Sequence, residues 1–186
     1  MDQLELLGPL AALVGSWEGE GGLDVSFHHA EGVVGDIVYR EKCSFNAFGP
    51  VDNGTQSLYG LDYRSAMWRD DMENPFHTEI GYLLWDADAG QVLRCFSVPR
   101  GVTVLAAGFA KPDATTFTVK AEAGAPDHGV LQNAYLLAAA RTVSFEMTIT
   151  VNSDGSITYT SDTVLAMAGR DELLHHTDLN TLHRVG

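Results

Sequence analysis

Cysteine is scarce in this sequence, which has only Cys43 and Cys95 among its 186 residues. Both lie in strand-like runs without C-x-x-C spacing, so neither a disulfide framework nor a zinc site is predicted. Basic residues are also few, because 11 lysines and arginines stand against 25 acidic residues and the formal net charge is −14. This charge repels phosphate backbones and anionic lipid headgroups, so no nucleic acid and no membrane partner is expected.

The sequence also lacks a long apolar run of the roughly 18 residues that a membrane-spanning helix needs. Its start, MDQLELLGPLAALVGSW, has no basic n-region and no A-x-A-like cleavage site, so no signal peptide is predicted. With the few cysteines, these features predict a cytoplasmic protein.

Common enzyme fingerprints are missing as well. There is no nucleophile elbow, P-loop or zinc-protease helix, and GEGGLD has the wrong glycine spacing for a Rossmann turn. The composition, 45% hydrophobic and 19% charged, is nevertheless that of a folded protein. The length predicts one domain covering residues 1–186.

Strand-like alternation runs through most of the chain. It is cleanest in RTVSFEMTITV, residues 141–151, where apolar and polar side chains alternate. The NSDG turn then leads into SITYTSDTVLAMA, which predicts a hairpin because Gly155 can take a positive φ. Residues 76–108 predict a three-strand meander, joined by the turns DADAG and PRG.

About ten strands are predicted in all. They are near Leu13–Glu20, Ile37–Phe45, Gln56–Tyr63, His77–Trp85, Gln91–Val98, Val102–Ala110 and Thr116–Ala121, in residues 141–151 and 156–168, and near Asn180–Val185. Helix is limited to a short N-terminal turn around Gln3–Leu13 and to VLQNAYLLAAA. The pattern predicts an all-β fold, a ten-stranded antiparallel up-and-down β-barrel. Since side chains alone fill a barrel of about eight strands, this barrel should enclose a cavity.

Several polar or aromatic residues are candidates for a site. Trp17 lies among glycines in LVGSWEGEGG, where the backbone either bends at a barrel corner that Trp17 plugs or passes close to a ligand. His77 and Glu79 share a strand face, as a hydrogen-bonded site pair or as solvated residues. Arg100, in the PRG turn, either closes over an acidic ligand group or is solvated.

The last segment gathers further polar residues: His175, His176, Asp178, Asn180 and His183. Histidine commonly holds transition metals and haem iron, so these residues are candidate ligands. The alternative is the polar rim of a final strand.

Three segments resemble the nitrobindin-like haem-binding β-barrels, which are similar in shape to fatty-acid-binding and lipocalin barrels. LVGSWEGEGG resembles their G-x-W-x-G-x-G opening, and HTEIGYLLWDADAGQVLRCFSVPRGVTVLAAG resembles their central H-x-E-x-G segment and the strands after it. HTDLNTLHRV resembles their last strand, a histidine ahead of an L-x-R ending. The three segments follow in the family's order and span nearly the whole chain.

The resemblance implies a b-type haem whose axial ligand is His176 and whose ferric iron stays partly open. It also implies isomerisation of peroxynitrite to nitrate. Asp178 would orient the imidazole, and Trp17, His77 and Arg100 are further candidate cofactor contacts.

One departure from the family concerns the register of this strand. His176 is six residues before Leu182, whereas Thr177 occupies the family's ligand place five residues before it. Strand alternation then puts Thr177 on the expected inner face and His176 on the other. A β-bulge would return His176 to the interior.

The predicted function is therefore binding of a hydrophobic or planar ligand inside the barrel, with haem as the leading candidate. One alternative is a non-enzymatic carrier of a fatty acid or another apolar metabolite, with the histidines at the rim. Another is a barrel filled by its own side chains. A homodimer is left open.

Overall fold

The computed structural model describes residues 4–70 and 72–186. Within them the chain forms eleven strands, an α-helix α1 (Ala134–Ala139) and an N-terminal 3₁₀ segment (Glu5–Leu13). The strands are β1 (Gly15–His28), β2 (Val33–Asn53), β3 (Gln56–Arg69), β4 (His77–Asp86), β5 (Gln91–Val98), β6 (Val102–Phe109), β7 (Thr116–Glu122), β8 (Gly129–Gln132), β9 (Ala140–Val151), β10 (Ile157–Met167) and β11 (Leu174–Val185).

Ten of these strands close an antiparallel barrel. Consecutive strands pair from β1 to β7, then β7 pairs with β9, and β9, β10 and β11 lead back to β1. This confirms the predicted all-β barrel, its meander β4–β5–β6 and its hairpin β9–β10. In the described part of the chain, no helix is long and apolar enough to cross a membrane.

Alternation explains why the strands close around a common interior. In β9, Phe145, Met147 and Ile149 are buried on the inner face while Glu146 is exposed between them. Burying each large apolar side chain contributes about 1.5–3 kcal/mol. A strand whose every second residue is apolar is therefore most stable with that face turned inward.

The final strand is longer than predicted. It begins at Leu174 rather than near Asn180, so His175 and His176 lie within a strand. Backbone ladder bonds continue through polar residues, because they do not depend on the side chain.

The segment VLQNAYLLAAA is only partly helical. Helix α1 begins after Asn133, whose side-chain oxygen accepts a hydrogen bond from the backbone N–H of Leu136 at 3.0 Å. The preceding residues form β8, which pairs with the start of β6. The prediction of helix over Val130–Gln132 was wrong, because those residues extend the sheet.

The 3₁₀ segment closes one end of the barrel. Its apolar side chains are fully buried there: Leu7, Leu10 and Leu13. Gly8, at φ +53°, lies so close to Trp85 that a Cβ atom would be 2.5 Å from the indole Nε1. The predicted N-terminal turn is thus present from Glu5 onward, and Gln3 lies outside the described residues.

Trp17 belongs to this closed end. It is 1% exposed, and its Nε1 donates a hydrogen bond to the carbonyl of Leu13 at 2.7 Å. The register of β1 shifts between Gly19 and Gly22, and a Cβ atom at Gly22 would lie 2.3 Å from the Tyr39 ring. Of the two interpretations of the glycine-rich segment, the structure agrees with a barrel corner that Trp17 fills.

Candidate ligand-binding site

A cavity of about 880 Å³ lies inside the barrel, between the closed end and the opposite rim. Its apolar wall includes Phe45, Phe96, Val104, Phe145, Met147 and Ile149. Its rim includes His28, His29, Met72, Arg100, Leu136 and Met167. The volume is near the upper end of the roughly 300–1,000 Å³ of small-molecule and cofactor sites. The barrel is therefore not filled by its own side chains.

His176 lies on the inner face of β11. The pairing of β10 with β11 runs without a shift from Leu174 to Leu182, so alternate residues face the interior: Leu174, His176, Asp178, Asn180 and Leu182. The expectation that the Thr177 face points inward was wrong. No β-bulge is needed to bring His176 to the cavity.

The His176 imidazole contacts two carboxylates. Its Nε2 is 2.9 Å from Oδ2 of Asp24 and 3.8 Å from Oδ2 of Asp178. Burial raises the pKa of Asp24, but hydrogen bonds from His176 and Ser26 outweigh it and hold that pKa below its ordinary value. Burial lowers the pKa of His176, yet Asp24 and Asp178 raise it overall. Burial raises the pKa of Asp178.

A second polar layer surrounds Glu41, which is 3% exposed. Its Oε1 accepts a hydrogen bond from Ser65 at 2.6 Å, and its Oε2 accepts from Asn180 at 3.0 Å and from Tyr159 at 2.6 Å. Burial is the largest influence on this carboxyl and raises its pKa. The layer holds a buried acid inside the barrel.

A buried ion pair joins Arg94 to Glu79. The guanidinium carbon also lies 4.3 Å from the ring centre of Phe96, and Nε donates to the Tyr63 hydroxyl at 3.1 Å. Burial raises the pKa of Glu79, but the charge of Arg94 outweighs it and holds that pKa below its ordinary value. His77 Nε2 is 4.0 Å from Glu79 Oε2, which is longer than a hydrogen bond.

The residues predicted for the site separate into two groups. His176, Asp178, His77 and Arg100 all line the cavity, with Arg100 exposed on the rim. Trp17 is not among the lining residues and packs at the closed end.

The other two terminal histidines lie outside the cavity. His175 is exposed and pairs with Asp162, its Nδ1 lying 2.7 Å from Oδ2. His183 is exposed as well.

Sequence reasoning missed Asp24, Glu41 and Arg94. For Glu41 and Arg94 a signal was present, because each lies on the apolar side of an alternating strand, whereas Asp24 alternates with Gly22 and Ser26 and gave none. Arg94, for example, lies between Val92 and Phe96 on the inner face of β5. A charged residue in such a position is buried and needs a partner.

The family model of the THAP4-like, heme-binding beta-barrel domain matches residues 6–184. The chain belongs to this family. The crystal structure of Rv2717c from M. tuberculosis is similar to it, with a TM-score of 0.65 and 19% identity over 100% of this chain and 99% of that one. That likeness shows a shared fold. No curated protein matches the sequence. Membership in a heme-binding family and the interior cavity together indicate ligand binding inside the barrel.

The residues of this THAP4-like domain fit a haem group. Haem iron takes one imidazole nitrogen, and the other ring nitrogen commonly contacts a carboxylate or a carbonyl group. His176 provides the imidazole on the cavity wall, and Asp24 provides the carboxylate. Near the rim, Nε of Arg69 is buried with no hydrogen-bond partner among the described residues, as suits a ligand carboxylate.

Proposed function

We propose that the cavity binds a b-type haem and that His176 is its protein ligand. The observation that carries this proposal is the position of the His176 imidazole, on the wall of an 880 Å³ cavity and 2.9 Å from the Asp24 carboxylate. A hydrogen-bonded carboxylate fixes the orientation of a ligating imidazole and raises its basicity. Asp178, 3.8 Å away, adds a second negative charge.

The rim supplies cations for the acidic groups of such a cofactor. Arg69 lines the cavity, and its guanidinium carbon lies 4.5 Å from the ring centre of Phe76. Arg100 lies exposed on the same rim. A guanidinium binds a carboxylate through two parallel hydrogen bonds, so both side chains are suited to carboxylate groups at the mouth.

When bound, haem would supply ligand binding and the conversion of reactive nitrogen species such as peroxynitrite. The protein itself would exclude water from the cavity and limit the access of other molecules to it. Phe96, Val104 and Phe145 form an apolar wall, and the closed end leaves the rim as the approach. We propose that the protein carries out this chemistry when haem is bound.

A fatty-acid carrier is less well supported by the interior charges. The buried cation Arg94 is already paired with Glu79. The other charged groups on the inner wall include the acidic residues Asp24, Glu41 and Asp178. A fatty-acid carboxylate placed in the interior, away from the rim arginines, would have to displace Glu79 or lie near like charges, and both cost free energy.

A hemin titration of the wild type and three variants tests the proposal: His176→Ala, His175→Ala and His183→Ala. The wild type is expected to bind hemin with a shifted Soret band. His176→Ala should lose that shift and bind at least about tenfold more weakly, because the residue proposed to hold the iron is gone. The other two are matched controls, since both rings are exposed outside the cavity.

Two results would contradict the proposal. One is that the wild type takes up no hemin. The other is that His176→Ala gives the wild-type spectrum and affinity, which would leave the histidine as a polar wall residue.

We also propose a cytoplasmic location. Cys43 and Cys95 are free thiols, the state that a reducing compartment maintains. Cell fractionation tests this, and recovery of the protein from a secreted fraction would contradict it.

A further inference from the structure

We propose that Asp24, His176 and Asp178 form a binding site for a first-row divalent cation such as Zn²⁺. The site is a property of the protein without haem, so the inference does not rest on the haem proposal. It uses the two carboxylates as ligands, whereas the haem proposal uses them only to orient the histidine.

The ligand atoms are already gathered. One imidazole nitrogen and two carboxylate oxygens lie within 4.8 Å of one another, and Nε2 of His176 is 2.9 Å from Asp24 and 3.8 Å from Asp178. Zinc binds nitrogen and oxygen ligands at about 2.0–2.2 Å in a tetrahedral arrangement, so two of its ligand atoms are about 3.3–3.6 Å apart. Small side-chain movements therefore suffice to enclose an ion.

The backbone places two like charges together. Asp24 on β1 is the direct cross-strand partner of Asp178 on β11, and both side chains line the cavity. Like charges directly opposite each other destabilise a sheet. A divalent cation shared by the two carboxylates removes that repulsion.

Neighbouring side chains support the arrangement as outer-shell groups do in metal sites. Ser26 donates a hydrogen bond to Oδ1 of Asp24, which leaves Oδ2 toward His176. Ser161 donates to Asp178 at 3.4 Å. Three protein ligands with an open side is the arrangement of zinc sites that bind a water or substrate, and here the ligands face the cavity.

Calorimetric titration with Zn²⁺ alone, in the absence of hemin, tests the site. The wild type is expected to bind one equivalent. Asp178→Asn, Asp24→Asn and His176→Ala should each weaken that binding at least about tenfold. Asp178→Asn should disturb folding less than Asp24→Asn does, because Asp178 is less buried than Asp24. Weaker zinc binding by this variant would therefore reflect the lost ligand. His175→Ala is the matched control, since it removes the neighbouring histidine from the outer face.

No zinc binding by the wild type overturns the inference, as does equal binding by all the variants. These outcomes are separate from those of the hemin titration, because Asp178→Asn retains the proposed haem ligand. Both ligands use His176, so saturating Zn²⁺ is expected to weaken hemin binding at least about tenfold. Provided that the hemin titration has shown His176 to be the haem ligand, unchanged hemin affinity with zinc bound would place the ion elsewhere and also overturn the inference.

Discussion

The hydroxyl group of Tyr159 donates a hydrogen bond to Oε2 of Glu41 at 2.6 Å, joining residues that are 118 positions apart in the sequence. The same hydroxyl is 2.8 Å from that of Tyr39. These contacts link Tyr39 and the buried acid Glu41, both on β2, to Tyr159 on β10. The acid has consequences for the dependence of stability on pH.

Glu41→Gln is expected to gain stability relative to the wild type as the pH rises: the difference between their free energies of unfolding should increase in favour of the variant. Burial raises the pKa of Glu41 above its ordinary value of 4.5, so the folded state holds this proton more tightly than the unfolded state. As the pH rises through 4.5, only the unfolded state ionises readily, and the free energy of unfolding falls until the pH passes the folded-state pKa. Glutamine removes this loss.

Urea unfolding of both proteins at several pH values from 4 to 8 measures the effect. The quantity to compare is the free energy of unfolding of Glu41→Gln minus that of the wild type. A difference that stays flat over the whole range would contradict the prediction.

Arg94→Met is expected to destabilise the barrel by about 3–5 kcal/mol, because it leaves Glu79 buried without its partner. The double variant Arg94→Met with Glu79→Gln should recover most of that loss. Lys120→Met is the matched control: it breaks the exposed pair with Glu146 and should cost about 1 kcal/mol at most.

Urea denaturation measures all three variants. If the double variant is as unstable as Arg94→Met, the loss comes from packing against the aromatic rings. The unpaired charge of Glu79 would then not be its cause.

Val104→Trp is expected to narrow the cavity and to weaken uptake of an apolar dye or of hemin at least about tenfold, or about 1.4 kcal/mol. Val104 is 4% exposed and lines the cavity. Val38→Trp adds the same ring on the outer face, where Val38 is 59% exposed, and should leave uptake unchanged.

Fluorescence or absorbance titration measures binding, and circular dichroism checks that both variants keep the barrel. Equal affinity for Val104→Trp and Val38→Trp would mean that the ligand does not occupy the interior.

The fold followed from the sequence more readily than the site did. Alternation in residues 141–151 identifies a strand and its inner face from local pattern alone. In β11, alternation likewise groups His176 with Asp178 on one face. It does not say which face is inner, because β11 carries Leu174 and Leu182 on one side and Leu179 on the other.

The contacts of the site depend on closure of the barrel. Asp24 meets His176 across 152 positions, and Asn180 meets Glu41 across 139. Such pairs are set by the register of β1 against its two neighbours, β2 and β11, which local periodicity does not determine. His77 and Glu79 illustrate the same point, since the buried partner of Glu79 is Arg94 on the neighbouring strand.

The plug of Leu7, Leu10, Leu13 and Trp17 has a kinetic consequence. All four side chains are at most 1% exposed, so a molecule inside the barrel leaves by the path along which it arrived. A single path makes the rim a common barrier to association and dissociation. Substitutions confined to the rim that touch no bound ligand should therefore change both rate constants by the same factor. The residence time of the ligand would change while its affinity stays constant.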